Sequence, residues 1–472
     1  MRHIFRTLIA ITLLLGIYGD IACSDSTEIL LGTYLGNYLR NNASEGPAPH
    51  NPQIIWKLYV GGGKTTVWKD TTQWFGTGWT GQPVFYRENA DTYMIIGAYD
   101  HNLRKVNIKD GREIWQYDFG DVIKGTAALM AIDDSIIILQ GSRRGFGRQF
   151  TARIVPSFRA ISAGGKEIWR MNIPLTDSYS RDIDGTPLII NNRIYLGAEN
   201  GYLYKINPLK TELRDGIRQP VIDYRVRLYD NEDISAHQWN LVTESSPAYM
   251  DSTIYITSGS GHIYGIDINT GKKVFDFKTG SDMDGSPVIT GNKKLVCPIE
   301  KQYIAGPGGV IKLDPKMEEE KSVKWYFPTR SSIVPGWEGG VIGSPAIYER
   351  GPRENHLCAF MSVDGYLYVV ALNRTVPDST VLGFDSLTYY PTPELVYKKY
   401  IGGSISTPVF AGEHLIAGGY DCRIRIFEIN GTEIEELSSI NLGGGIESTP
   451  AVLGNRIYIG CRNGYIYCIG DK

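Results

Sequence analysis

The 472-residue chain is short of most features that would assign it a simple class. Its six cysteines include no adjacent pair and no C-x-x-C spacing, which excludes a disulfide framework and a covalent haem-attachment motif. Net charge is only -3, so no polyanion-binding surface exists on the scale of the whole protein. The seven histidines are scattered without a His-Glu-x-x-His pair, which removes the usual zinc-protease reading. No Gly-x-Ser-x-Gly elbow supports a serine hydrolase. Gly61-Gly62-Gly63-Lys64-Thr65 looks like a phosphate loop, but Leu58 stands where its first glycine is required and no helical pattern follows. The longest N-terminal apolar run, residues 8 to 18, is too short to span a bilayer as a mature helix.

That run follows Arg2, His3 and Arg6, the arrangement of an export signal over residues 1–22. Cys23 follows Asp20-Ile21-Ala22, and a small residue directly before cysteine resembles a bacterial lipobox, with Asp20 a poor fit to it. The expectation is an exported chain, periplasmic or at the outer membrane, lipid-anchored through Cys23. Of the other five cysteines, Cys422 and Cys461 lie in neighbouring repeats and are the one pair open to bonding in an oxidising compartment; the plainer reading makes all five small buried residues. Residues 23–52 are polar and proline-containing and read as a tether, with a short helix around residues 29–39.

What is abundant is a repeat. Ser/Thr-Pro pairs lead apolar strands at Thr186-Pro187, Ser246-Pro247, Ser286-Pro287, Ser344-Pro345, Thr407-Pro408 and Thr449-Pro450, with variants at Gln82-Pro83 and Thr126-Ala127. Second strands such as Arg193-Ile194-Tyr195-Leu196-Gly197 follow, then third strands such as Asn463-Gly464-Tyr465-Ile466-Tyr467. The best copies close on tryptophan, as in Gly165-Lys166-Glu167-Ile168-Trp169. A period of about 40 to 60 residues indicates a propeller or solenoid. Abundant Tyr (30) and Gly (54) suit short strands and tight turns. The eighth copy stops at Lys472 after its third strand, while Ile54-Ile55-Trp56 reads as a closing strand with no blade before it. The prediction is an all-β, eight-bladed β-propeller of four-stranded antiparallel blades over residues 53–472, closed by pairing the N-terminal strand with the last blade.

These residues resemble the PQQ-like, or quinoprotein alcohol dehydrogenase-like, β-propeller family, whose blades carry a Gly-x-x-x-Ala-x-Asp-x-x-Thr-Gly-x-x-x-Trp signature. The run from Gly261 through Asp267 to Thr270-Gly271 matches best, with Phe275 replacing the tryptophan. The resemblance implies two functions. One is a non-enzymatic lipoprotein of the BamB type that scaffolds envelope-protein assembly and needs no cofactor. The other is a pyrroloquinoline quinone dehydrogenase holding the quinone and Ca²⁺ in its central funnel. The adjacent Cys-Cys pair that many such dehydrogenases carry is missing. The leading expectation is therefore the binding propeller, with a protein, extended peptide or glycan partner and no nucleic acid.

Blade geometry places inter-blade loops and second-to-third-strand loops on one face. The first group carries Trp74, Phe75, Trp79, Trp239 and Trp337; the second carries Arg143, Arg144, Phe146, Arg148 and Phe150, with Lys301, Gln302 and Tyr303. Trp, Tyr and Arg are the residue types that dominate interface energetics. Asp184, Glu244, Asp284 and Glu447 sit two residues before their Ser/Thr-Pro hydroxyls, with Asp182 and Asp282 beside them and Lys124 at the matching place in blade 2. They form either a partial acidic ring able to take a hard cation near Asp184, Glu244 and Asp284, or a set of turn carboxylates capping backbone N–H groups. A carbohydrate-active propeller using paired carboxylates is a third reading.

Overall fold

The computed structural model describes residues 27–41, 44 and 46–472. The expected signal segment and Cys23 lie outside them. Among the described residues no helix is long and apolar enough to cross a membrane.

The repeat forms eight antiparallel four-stranded blades, the first widened to a five-stranded sheet by an N-terminal strand. Two strands precede the first blade: β1 (Thr27–Leu31) and β2 (Gln53–Tyr59), and a hairpin follows, β3 (Gly62–Val67) and β4 (Asp70–Phe75). Blade 1 is β5 (Val84–Glu88), β6 (Asp91–Gly97), β7 (Asn102–Asn107) and β8 (Glu113–Asp118). The ring closes as predicted, since β2 pairs antiparallel with the last strand, Tyr465–Gly470, and completes blade 8. Closure buries backbone groups that a free edge would expose.

Two sequence features hold neighbouring blades together. The closing tryptophans donate their indole N–H to a carbonyl of the next blade: Trp56 to Ile108, Trp115 to Ala163, Trp169 to Pro208 and Trp325 to Leu372, at 2.9–3.0 Å. Blade 3 lacks the tryptophan, and there Tyr224 Oη donates to Ile268 O instead. The Ser/Thr-Pro hydroxyls form a girdle. The N–H of Thr186 donates to Ser246 Oγ, that of Ser246 to Ser286 Oγ, that of Ser286 to Ser344 Oγ, and that of Ser344 to Thr407 Oγ1. Proline follows because its missing N–H costs nothing at a residue already facing the channel.

The stretch expected as a tether is part of the domain from Thr27 onward. β1 adds to the inner edge of β5, pairing Thr27 with Glu88 and Leu31 with Phe85, so residues 29–31 are strand and not helix. Beyond it the chain turns inside the channel. Tyr34 Oη reaches Ser344 Oγ (3.2 Å) and Thr407 Oγ1 (2.7 Å) of the girdle. Arg40 is fully buried, donating to Pro247 O, Thr33 Oγ1, Tyr34 O and Thr186 O. Burial without a carboxylate partner pushes its pKa down to about 9. Tyr34, Leu35 and Ala48 are buried with blades 5 to 8. This segment had polar composition because its partners are backbone carbonyls and hydroxyls, which composition alone cannot distinguish from water.

Cys422 and Cys461 are both free. Cys461 Sγ lies 3.2 Å from Gly444 O, and Cys422 Sγ 3.7 Å from Tyr420 O, so no bond links them. Cys297, Cys358, Cys461 and Cys468 are buried.

Candidate functional site

The channel end opposite to β1 opens as a funnel. It is built from two chain positions per blade. The inter-blade loops supply Trp79, Lys124, Asp184, Glu244, Asp284 and Glu447 just before each first strand. The second strands supply the other set, where a Gly-x-X register places X in the funnel: Gly97-Ala98-Tyr99, Gly141-Ser142-Arg143, Gly197-Ala198-Glu199, Gly418-Gly419-Tyr420 and Gly460-Cys461-Arg462. Each glycine abuts the next inter-blade loop. A Cβ at Gly141 would stand 2.3 Å from Ile183 O, and one at Gly418 2.4 Å from Ile446 Cγ2. Sequence reasoning missed Tyr99, Glu199, Tyr420, Arg462 and also Glu300. The recurring glycine two residues earlier was the signal available for all but Glu300, which follows Ile299 in blade 5.

The predicted acidic ring is resolved into two clusters of different character. In the first, Asp184, Glu199 and Glu244 bring carboxylate oxygens within 4.8 Å of one another. Lys124 Nζ contacts Asp184 and lies 3.7 Å from Glu244. Burial lowers the pKa of Lys124, but Asp184 and Glu244 overcome it and hold the ammonium well above its usual range. Glu199 and Glu244 are pushed well above the usual carboxylate range, by burial first; Asp184 adds most of the repulsion on Glu199 and Asp284 on Glu244. In the second cluster, Asp282, Asp284 and Glu300 converge in the same way, with no cation on them among the described residues. Asn240 Nδ2 donates to Asp282 Oδ2 at 2.5 Å, while Asp282 Oδ1 and Asn240 Oδ1 are buried without a partner. Burial and then Glu300 raise Asp282 to about 7, and Asp284 and Glu300 also lie well above their usual range. Glu447 stands apart, in an ion pair with Arg462 (2.8 Å) and accepting from Tyr420 Oη.

Asp182 does not cap its own turn but ties two blades together, accepting Arg144 N–H at 2.9 Å and pairing with Arg143 Nε at 2.7 Å. Asp184 caps no backbone N–H, and its partner is the Lys124 ammonium.

The hairpin of β3 and β4, read in the sequence only as a failed phosphate loop and an aromatic linker, reaches over the funnel. Thr65 Oγ1 accepts from Arg143 Nη1 (3.2 Å), and Trp68 at the tip stacks on Tyr179 with ring centroids 5.1 Å apart. Two adjoining lobes result, each about 370 Å³. One is lined by Trp68, Trp74, Arg143, Arg144, Phe150 and Tyr179; the other by Trp74, Trp79, Tyr99, Trp337 and Arg462; both share Lys124 and Glu244. Of the predicted binding residues, Trp74, Trp79, Arg143, Arg144 and Trp337 therefore come together. Phe146 does not join them; it lines a separate recess with Phe119, Arg148 and Arg159. Trp239 is 58% exposed on the rim, its carbonyl accepting Tyr179 N–H. Tyr303 packs on His237 at 4.9 Å, outside both lobes.

Residues 62–224 match the model of a family described as outer membrane protein assembly factor BamB. A curated relative, tetrathionate hydrolase of Acidithiobacillus ferrooxidans, is 28% identical over 137 residues, 27% of this chain and 25% of that one, so the match spans only about a quarter of the relative's length. Among solved structures, quinohemoprotein alcohol dehydrogenase from Comamonas testosteroni aligns with TM-score 0.56 and 13% identity over 94% of this chain and 81% of its own. A europium-containing methanol dehydrogenase gives the same score and identity over 93% and 98%. Such identities speak for the fold alone. Eight four-stranded blades, indole-to-carbonyl docking between them and the solved structures it resembles agree on the fold: the chain is an eight-bladed β-propeller whose residues 62–224 carry the match to that family model.

Proposed function

We propose that this protein is an exported binding propeller that takes an extended peptide segment of a protein partner at its funnel face. The observation that carries this reading is the shape of the channel. The segment from Thr27 to Asn41 fills one end, and the other opens as a two-lobed, tryptophan-walled recess. A dead-end recess of this size takes side chains or a small ligand rather than a threaded chain. The aromatic walls supply anchoring area of the kind that dominates protein interfaces. The match to an assembly-factor family, whose described role is with outer membrane proteins, supports a protein partner and an envelope location.

A second reading, a quinone- and calcium-dependent dehydrogenase, is favoured by the second carboxylate cluster. Asp282, Asp284, Glu300 and the unpartnered Asn240 Oδ1 form an all-oxygen donor set suited to a hard cation, which would act there as a Lewis acid. The quinone itself fits poorly. It carries three carboxylates, and of the cations lining the funnel Lys124 is committed to Asp184, Arg143 to Asp182 and Arg462 to Glu447, which leaves Arg144, its guanidinium donating to Arg148 O, against three charges. No step is derived through it.

Calorimetric titration of the full-length chain separates the readings. Truncation at residue 46 is unsuitable, because it removes the channel segment. Expected is saturable binding of partner-derived peptides, lost in Trp337→Ala, and no binding of pyrroloquinoline quinone with Ca²⁺. Saturable quinone binding that disappears in Asp284→Ala would overturn the ranking.

A further inference from the structure

The two carboxylate clusters differ in what they can hold. In the cluster of Asp282, Asp284 and Glu300, Asp284 lines the open lobe beside Trp79 and Trp337, and among the described residues no ammonium pairs with its oxygens. In the cluster of Asp184, Glu199 and Glu244, Lys124 sits on Asp184 and 3.7 Å from Glu244, so Glu199 is the carboxyl without an ion-pair partner. Three carboxyl groups share that one ammonium, while the other cations lining the lobe are held elsewhere, Arg143 by Asp182 and the Arg144 guanidinium by Arg148 O. Glu199, only 4% exposed, faces the roofed lobe with Oε1 unpartnered. A buried carboxylate oxygen without a donor is costly, and a ligand that supplies the donor recovers that cost.

The walls of this lobe specify the donor further. Trp68 and Tyr179 stack across its mouth, and Trp74 and Phe150 line its sides. Aromatic faces attract organic cations and favour an ammonium on an alkyl stem; they offer nothing to a strongly hydrated metal ion. The lobe holds about 370 Å³, enough for one long side chain and too little for a folded element.

We propose that this roofed lobe receives the ammonium of a lysine side chain from the bound segment, with Glu199 and Glu244 as its acceptors and the Trp68–Tyr179 pair enclosing its stem. The proposal rests on the peptide-binding reading above and names the residue that the lobe selects. The hairpin of β3 and β4 is then the specificity element, since it alone brings Trp68 and Trp74 over the carboxylates.

The test compares two N-acetylated, C-amidated pentapeptides, Gly-Gly-Lys-Gly-Gly and the same sequence with norleucine at the centre, titrated into the full-length chain at low and high salt. The lysine peptide is expected to bind at least about ten-fold more tightly, the gain expected of one charge-assisted contact to a buried carboxylate, and to lose that gain at high salt. Glu199→Gln should erase the preference. Trp68→Leu, at a 76% exposed tip whose loss leaves the core intact, should weaken the lysine peptide several-fold with an unchanged thermal midpoint, which guards against a folding defect in the first variant. Equal binding of the two peptides would overturn the lysine assignment and leave the peptide-binding face standing. Binding of neither would overturn both.

Discussion

Replacing Asp282 by Asn should stabilise the protein at alkaline pH and do little at acidic pH. Asp282 is 5% exposed, beside Asp284 and Glu300, and burial followed by repulsion from Glu300 raises its pKa from an ordinary 3.8 to about 7. A carboxyl whose folded pKa exceeds its unfolded one binds its proton more tightly in the native state. Between about pH 4 and 7 the native state therefore holds more protons than the unfolded state, and stability falls as pH rises through that window. The interval from 3.8 to about 7 corresponds to about 4 kcal/mol at pH 8. Asparagine keeps the shape and an amide donor in place of the protonated oxygen and never ionises, so Asp282→Asn removes this loss. With an unfolding entropy of about 2 cal/mol/K per residue, the variant's thermal midpoint should exceed wild type by about 3–5 °C at pH 8 and match it near pH 3, below the unfolded pKa. The measurement is a calorimetric scan of both proteins in EDTA at the two pH values. Added Ca²⁺ should raise the wild-type midpoint at pH 8 and leave the variant unchanged. A variant destabilised equally at both pH values would refute the argument, because Asp282 would then act as a structural acceptor and not as a buried acid.

Three other outcomes follow from the packing. Tyr34→Phe removes the hydroxyl shared with Ser344 and Thr407 and should cost about 1–2 kcal/mol in thermal or denaturant stability. Gly141→Ala drives a Cβ to 2.3 Å from Ile183 O, so backbone must move; a loss of about 2–3 kcal/mol is expected, together with weakened peptide binding, because Arg143 is displaced from Asp182. Trp325→Phe deletes the indole donor to Leu372 O within a core shared by blades 5 and 6, and should lower stability by about 2 kcal/mol without changing ligand affinity, since Trp325 is remote from both lobes.

The sequence by itself determined the architecture. Ser/Thr-Pro spacing at six blades, strand alternation and the closing tryptophans at four are local signals, and their repetition averages out the ambiguity of any one short strand. It also located the ring closure, because Ile54-Ile55-Trp56 had no other strand to complete, and it put Trp74, Trp79, Arg143, Arg144 and Trp337 on one common face. It could not decide the fate of residues 27–41. Their partners, Pro247 O, Thr186 O and the girdle hydroxyls, come from four different blades, and a polar segment satisfied by distant backbone has the same composition as one satisfied by water. Nor could it split the acidic ring. Asp184 and Asp284 occupy the same repeat position. Only the ring geometry puts Lys124 against the first and leaves the second beside Asp282 and Glu300, so identical residues acquire different chemistry from what the fold sets across from them.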